Sequence, residues 1–288
     1  MSEYALFVGT ASAESRTVPP ETPEGSTPQI DTSVPHNARI WNYWLGGKDN
    51  YPVDREMGEQ IRSFFPEIVD NAVADRGFLA RAVTHLAREE GVRQFLDVGT
   101  GLPTHNNTHE VAQAIAPESR VVYVDNDPLV LAHARALLTG TDRGATDYVD
   151  ADLRDPDTIL EAAARTLDLS RPVALMLLGV VNFVADDAEV RSVLDRLLGA
   201  LAPGSFLVLS HPTDDIDRER AHQVAAAWNE RGTPKLTIRT AKQITALFDG
   251  LELLEPGVVS CALWRAEPTE VGEVRPVAEY GGVARKVS

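Results

Sequence analysis

Gln94-Phe-Leu-Asp-Val-Gly-Thr-Gly-Leu-Pro-Thr104 reads as a buried strand that runs straight into a glycine turn. The flanking sequence repeats a strand–helix alternation. Upstream, Phe78, Leu79, Ala82, Val83 and Leu86 recur with the spacing of one helix face. Downstream, Arg120-Val-Val-Tyr-Val-Asp125 and Ala145-Thr-Asp-Tyr-Val-Asp150 read as strands, and Asp127-Pro128 and Asp155-Pro156 open helices as N-cap and first helical residue. Pro172-Val-Ala-Leu-Met-Leu-Leu178 is apolar throughout, as expected of a strand covered on both faces. A helix stripe from Val190 to Leu201 stops at Pro203-Gly204, and Ser205-Phe-Leu-Val-Leu-Ser210 is a fifth strand. Helical stretches follow around 215–230 and 241–248. Leu251-Glu-Leu-Leu254 and Val258-Val-Ser-Cys-Ala-Leu-Trp264, separated by Glu-Pro-Gly, favour an antiparallel hairpin. The alternation predicts an α/β fold, a doubly wound and mostly parallel sheet.

In such sheets ligands bind beyond the carboxyl ends of the strands. Gly99 and Gly101 let the backbone turn sharply and approach a ligand, although Thr104 breaks the dinucleotide pattern G-x-G-x-x-G. That break disfavours a nicotinamide-dependent oxidoreductase. Asp97, just ahead of the turn, suits a cationic ligand better than a pyrophosphate. Asp125 ends the second strand where a ribose hydroxyl pair is commonly bound. Asp152, past the third strand, is either an acceptor for an adenine amino group or a solvated loop residue.

With Ala38-Arg-Ile-Trp-Asn-Tyr-Trp-Leu-Gly-Gly-Lys-Asp-Asn-Tyr-Pro-Val-Asp-Arg55, the segments Gln94–Thr104 and Val122-Tyr-Val-Asp-Asn-Asp-Pro128 resemble the actinobacterial S-adenosyl methyltransferase family within the class I S-adenosylmethionine-dependent enzymes. The resemblance implies a Rossmann-like sheet of seven strands with the last antiparallel, an N-terminal helical lid, and S-adenosylmethionine as cofactor. It implies donor contacts from Asp97, Gly99, Thr100, Gly101, Asp125, Asn126, Asp152, Leu153 and Gly179. Pro103 stands where many class I enzymes carry a third glycine, and Asn182 follows the fourth strand where histidine is expected in many relatives.

The proline-, serine- and threonine-rich start, residues 1–35, is expected to be a disordered tail. Residues 36–92 then form the helical lid or substrate segment, and 93–288 the donor-binding core. Trp41, Trp44 and Leu45 share a helix face that either anchors this segment or closes over the sulfonium, with Gly46-Gly47 as hinge. His211, directly after the fifth strand, and Tyr43 are the candidate catalytic groups. His105 and His109 lack the H-E-x-x-H pattern, so no metal is expected; Asn107 with Glu110 fits a capping box. Backbone amides near 106–108 are candidates for the donor's carboxylate.

A formal charge of −16 disfavours nucleic acid and anionic membranes as partners, and no apolar run approaches the ~20 residues of a membrane span. A single cysteine excludes an intrachain disulfide, and a cytoplasmic location is expected. The function expected is methyl transfer to a small molecule, with a peptide acceptor open. The alternative is a non-catalytic S-adenosylmethionine sensor.

Overall fold

The computed structural model describes residues 30–137, 141–267 and 274–288. Its strands are β1 (Gln94–Val98), β2 (Arg120–Asp125), β3 (Ala145–Asp150), β4 (Ala174–Leu178), β5 (Phe206–Pro212), β6 (Glu252–Leu253), β7 (Val259–Ser260) and β8 (Glu279–Arg285). The helices are α1 (Asn37–Trp44), α2 (Pro52–Phe64), α3 (Ile68–Arg88), α4 (Thr108–Ile115), α5 (Pro128–Leu137), α6 (Pro156–Ala163), α7 (Asp187–Gly199), α8 (Arg218–Arg231) and α9 (Ala241–Ala246). Strand order is β3-β2-β1-β4-β5-β8-β6, with β7 also on β8. The first five strands pair in parallel and β8 runs antiparallel to β5.

The period of two along each strand explains why the sheet is covered on both faces. Leu96, Val98, Val122, Val124, Leu175 and Leu177 bury against α6 and α7. Their neighbours Phe95, Val121, Tyr123, Ala174 and Met176 bury against α3 and α4. Helix α3 therefore packs on the sheet's core, within the 36–92 segment that the sequence reads as a helical lid or substrate segment. The cap proper is α1, α2 and α8, joined by Ile40, Met57, Ile61, Phe65, Val224 and Trp228.

Two further expectations change. The segments around 251–254 and 258–264 do not pair with each other; β6 and β7 both bond to β8, with Leu253 opposite Ala284 and Val259 opposite Gly281. Strand β8 itself is hidden in the sequence by Gly281-Gly282. A Cβ on Gly281 would lie 2.7 Å from the Phe78 ring and one on Gly282 3.1 Å from Phe248, so the strand needs glycine where two rings press on its opposite faces. The expected tail also ends earlier than residue 35: Ile30 packs beside Ala38, Leu102 and Leu129, and Pro35 is buried. Residues 1–29 lie outside the described residues.

One buried ion pair ties this entry segment to the cap. Arg39 Nε lies 3.2 Å and 3.1 Å from the two carboxylate oxygens of Asp54, and its other nitrogens donate to the carbonyls of Asp31 and Val34. Asp54 also accepts the backbone amides of His36 and Tyr51, the second closing the capping box of α2. Every charged oxygen is thus partnered, and removing one member leaves an uncompensated buried charge. We expect Asp54→Ala to lower stability by about 3–5 kcal/mol, read from the shift in urea midpoint. A loss below about 1 kcal/mol would show that the network does not hold the cap.

Candidate active site

Strand order reverses beside β1, whose neighbours are β2 on one side and β4 on the other. The splayed connections leave a cleft of about 220 Å³ above the carboxyl ends of the strands, roofed by α1 and α8. Asp97, Gly99, Thr100, Gly101, Asp125, Asn126, Asp152, Leu153 and Gly179 all line this one cleft. Gly99 has φ +76°, and a Cβ there would lie 2.4 Å from the Val180 side chain. Only glycine lets the turn after β1 pass the loop after β4 at this distance.

The carboxylates are held before any ligand arrives. Asp125 accepts the Gly101 amide at 2.8 Å and the Asp127 amide at 2.9 Å, so it fixes the glycine turn and its own loop together. Asp97 accepts the Thr108 hydroxyl at 2.6 Å. Asp152 accepts the Asn126 side chain at 3.0 Å and the Arg154 amide at 2.8 Å. Burial pushes the Asp97 carboxyl up to about 6, against the Thr108 bond and the nearby Arg76 guanidinium, which pull it down. Burial also raises Asp125 despite its two amide bonds. The site is a row of acceptors with little positive charge of its own.

Cleft residues not picked out from sequence include Asp75 and Arg76 on α3, and Glu279 at the start of β8. Asp75 carries a readable signal, because it sits on the apolar stripe of α3 between Ala72 and Leu79. Glu279 carries none, since its strand was not foreseen. Arg76 Nη2 donates to the carbonyls of His105 and Asn106, while its Nε is buried and unpartnered. This guanidinium is a candidate for an anion beside the amides near 106–108. Of those amides, Asn107 N bonds to Glu110 in the expected capping box, and the neighbouring His109 N bonds to the Tyr123 hydroxyl.

Neither candidate catalytic group reaches the cleft. The fifth strand continues through Pro212, so His211 lies inside it, opposite Tyr280, and is fully buried. Its Nδ1 bonds to the Pro212 carbonyl and its Nε2 accepts from Arg239, each at 2.8 Å. Burial lowers its pKa to about 3, keeping the ring neutral. His211 braces Arg239, which in turn holds the carbonyls of Val181 and Val184 and the Asp187 carboxylate. Tyr43 points to Glu59 at 2.6 Å, away from the cleft walls. Trp41 and Trp44 do line the cleft, packed edge to face with centroids 5.8 Å apart. Gly47 is not an open hinge, because Asn42 presses against it and pins Asp49 and Asn50.

Known proteins share this fold and much of this sequence. A DUF574 family protein of Streptomyces avermitilis superposes with a TM-score of 0.86 at 45% identity, covering 90% of this chain and all of that one. A Thermobifida fusca crystal structure superposes at 0.83 with 40% identity, over 91% of this chain and 98% of the other. A carboxy-S-adenosyl-L-methionine synthase of Trichlorobacter lovleyi is 23% identical over 161 residues, 55% of this chain, and the match spans 61% of that relative's length. The S-adenosyl methyltransferase family model matches residues 23–287. The chain belongs to the S-adenosyl methyltransferase family, enzymes that take their methyl group from S-adenosylmethionine.

Proposed function

We propose that the chain transfers the methyl group of S-adenosylmethionine to a small organic acceptor held under the cap. The observation that carries this reading is the row of strand-end carboxylates, Asp97, Asp125 and Asp152, lining one open crevice. In this reading Asp125 accepts the ribose hydroxyls, and Asp152 with Leu153 meets the adenine edge. Asp97 faces the donor's ammonium and Arg76 its carboxylate, two charge-assisted contacts of opposite sign. Gly99, Thr100, Gly101 and Gly179 supply a backbone wall that comes close to the donor, and Asn126 steadies Asp152.

The sulfonium brings its own activation, so the protein's contribution is orientation and exclusion of water. Holding an acceptor in line with the methyl carbon can be worth about 7–11 kcal/mol. The apolar cap helices supply the dry chamber that this needs. A cytoplasmic location is part of the same proposal, consistent with a single buried and unpaired cysteine. No helix among the described residues is long and apolar enough to cross a membrane.

Calorimetry with S-adenosylhomocysteine tests the donor site. Asp125→Ala removes the ribose acceptor and the anchor of the Gly101 turn, and we expect at least about 100-fold weaker binding. Unchanged affinity would remove the carboxylate row from the donor site. Arg76→Ala should weaken S-adenosylhomocysteine about 10- to 100-fold yet leave 5′-methylthioadenosine, which has no carboxylate, nearly untouched. Equal losses for both ligands would mean that Arg76 only shapes the loop.

The pH dependence follows from Asp97. Its environment comprises Asp75 and Arg76 on α3, Asp125 on β2 and the Thr108 hydroxyl on α4. In the empty protein its carboxyl is protonated below about 6, and only the ionised form pairs with an ammonium. Affinity for S-adenosylhomocysteine should therefore be full near pH 7.5 and fall as pH drops through 6. A flat profile between pH 5 and 7.5 would place the ammonium elsewhere.

A further inference from the structure

The donor reading uses the half of the cleft above β1, β2 and β3. The other half, toward β5 and β8, has a chemistry of its own. Glu279 is 3% exposed and Asp75 5%, and both line the cleft. Glu279 Oε1 and Asp75 Oδ1 are buried with no hydrogen-bond partner. Asp75 stands beside the Ser210 hydroxyl on β5, and Glu279 lies opposite Pro212 on the same strand. Around them the chamber is aromatic and apolar, with Trp41, Trp44, Phe65, Phe183 and Trp228 in its walls.

An unpartnered carboxylate in such a place costs free energy unless something supplies protons or positive charge. Burial pushes Asp75 up to about 6 and Glu279 well above its ordinary range, the latter raised further by the Asp75 charge. Arg76 offsets this only at Asp75. The unsatisfied oxygens are acceptors, so the complementary ligand is rich in N–H donors and carries positive charge. Its remaining surface must suit tryptophan and phenylalanine faces, which also attract cations.

We propose that the methyl acceptor is a small hydrophobic amine, bound with its nitrogen against Glu279 and Asp75 and its apolar body under the cap. This rests on the donor site described above. The amine arrives as an ammonium and gives one proton to a carboxylate of this pair, leaving a neutral nitrogen. The nitrogen lone pair attacks the methyl carbon of the donor. A C–N bond forms as the C–S bond breaks, and the C–S electron pair stays on sulfur as the neutral thioether. Positive charge passes from sulfur to the methylated nitrogen, and the carboxylic acid releases its proton to water. Charge and protons balance with no further reactant.

The test uses the full chain and three probes with the same phenyl body: 2-phenylethylamine, 2-phenylethanol and 3-phenylpropionate. Calorimetry is run with each probe in the presence and absence of S-adenosylhomocysteine, and methylation is followed with labelled donor. The amine should bind at least tenfold more tightly than the alcohol, with the carboxylate weakest, and only the amine should accept label. Glu279→Gln should cut the preference for amine over alcohol about tenfold while S-adenosylhomocysteine affinity stays within twofold, because Glu279 is not among the groups acting on Asp97. Equal binding of amine and alcohol, tighter binding of the carboxylate, or no binding of any probe overturns the proposal. If S-adenosylhomocysteine fails to bind but the amine preference persists, the donor reading falls and the amine subsite stands.

Discussion

Carboxylates taken out of water at the ends of parallel strands set the terms for the rest of the molecule. Asp97 and Asp125 are buried, and what replaces their hydration is a hydroxyl and two backbone amides rather than a resident cation. Such groups are tolerated only while the surrounding backbone stays in place to donate to them. The glycine turn after β1 is therefore scaffold and cleft wall at once: it supplies an amide to Asp125 and leaves room beside Val180. A ligand bearing a sulfonium and an ammonium adds positive charge to a cleft whose carboxylates outnumber its guanidinium groups. Binding it then stabilises the folded protein as well as filling the crevice.

Much of this was legible in sequence because it rests on local rules. The strand runs at 94–98, 120–125 and 145–150 sit where period and turn chemistry put them, and the nine positions that the family resemblance implies all line the one cleft. The rest was hidden for identifiable reasons. Strand β8 contains two adjacent glycines, which read as a turn until the rings of Phe78 and Phe248 are seen against them. Glu279 was lost with it. His211 was misread by two residues of strand length: ending the strand at Ser210 puts it at the ligand edge, whereas pairing through Pro212 buries it against Arg239. Tyr43 failed differently, because an amphipathic helix shows which face is apolar but not where its polar edge points.

The cap shows how a polar network and an apolar cluster divide labour. Arg39 and Asp54 fix where α1 begins relative to α2, and Asn42 fixes where it ends. Along its length α1 presents Ile40, Trp41 and Trp44 to the chamber. The directional contacts sit at the helix ends, so the middle can be devoted to dispersion and to excluding water.

The diglycine of β8 reaches further than its own strand. Phe78 sits on α3 one turn after Asp75, and its ring rests where a side chain on residue 281 would otherwise stand. The missing Cβ of Gly281 thus determines how deeply α3 settles onto the sheet, and with it how far Asp75 and Arg76 project toward the crevice. Evolution could retune both charged groups without altering either of them. A single methyl added some two hundred positions downstream in the chain would lift the helix like a shim.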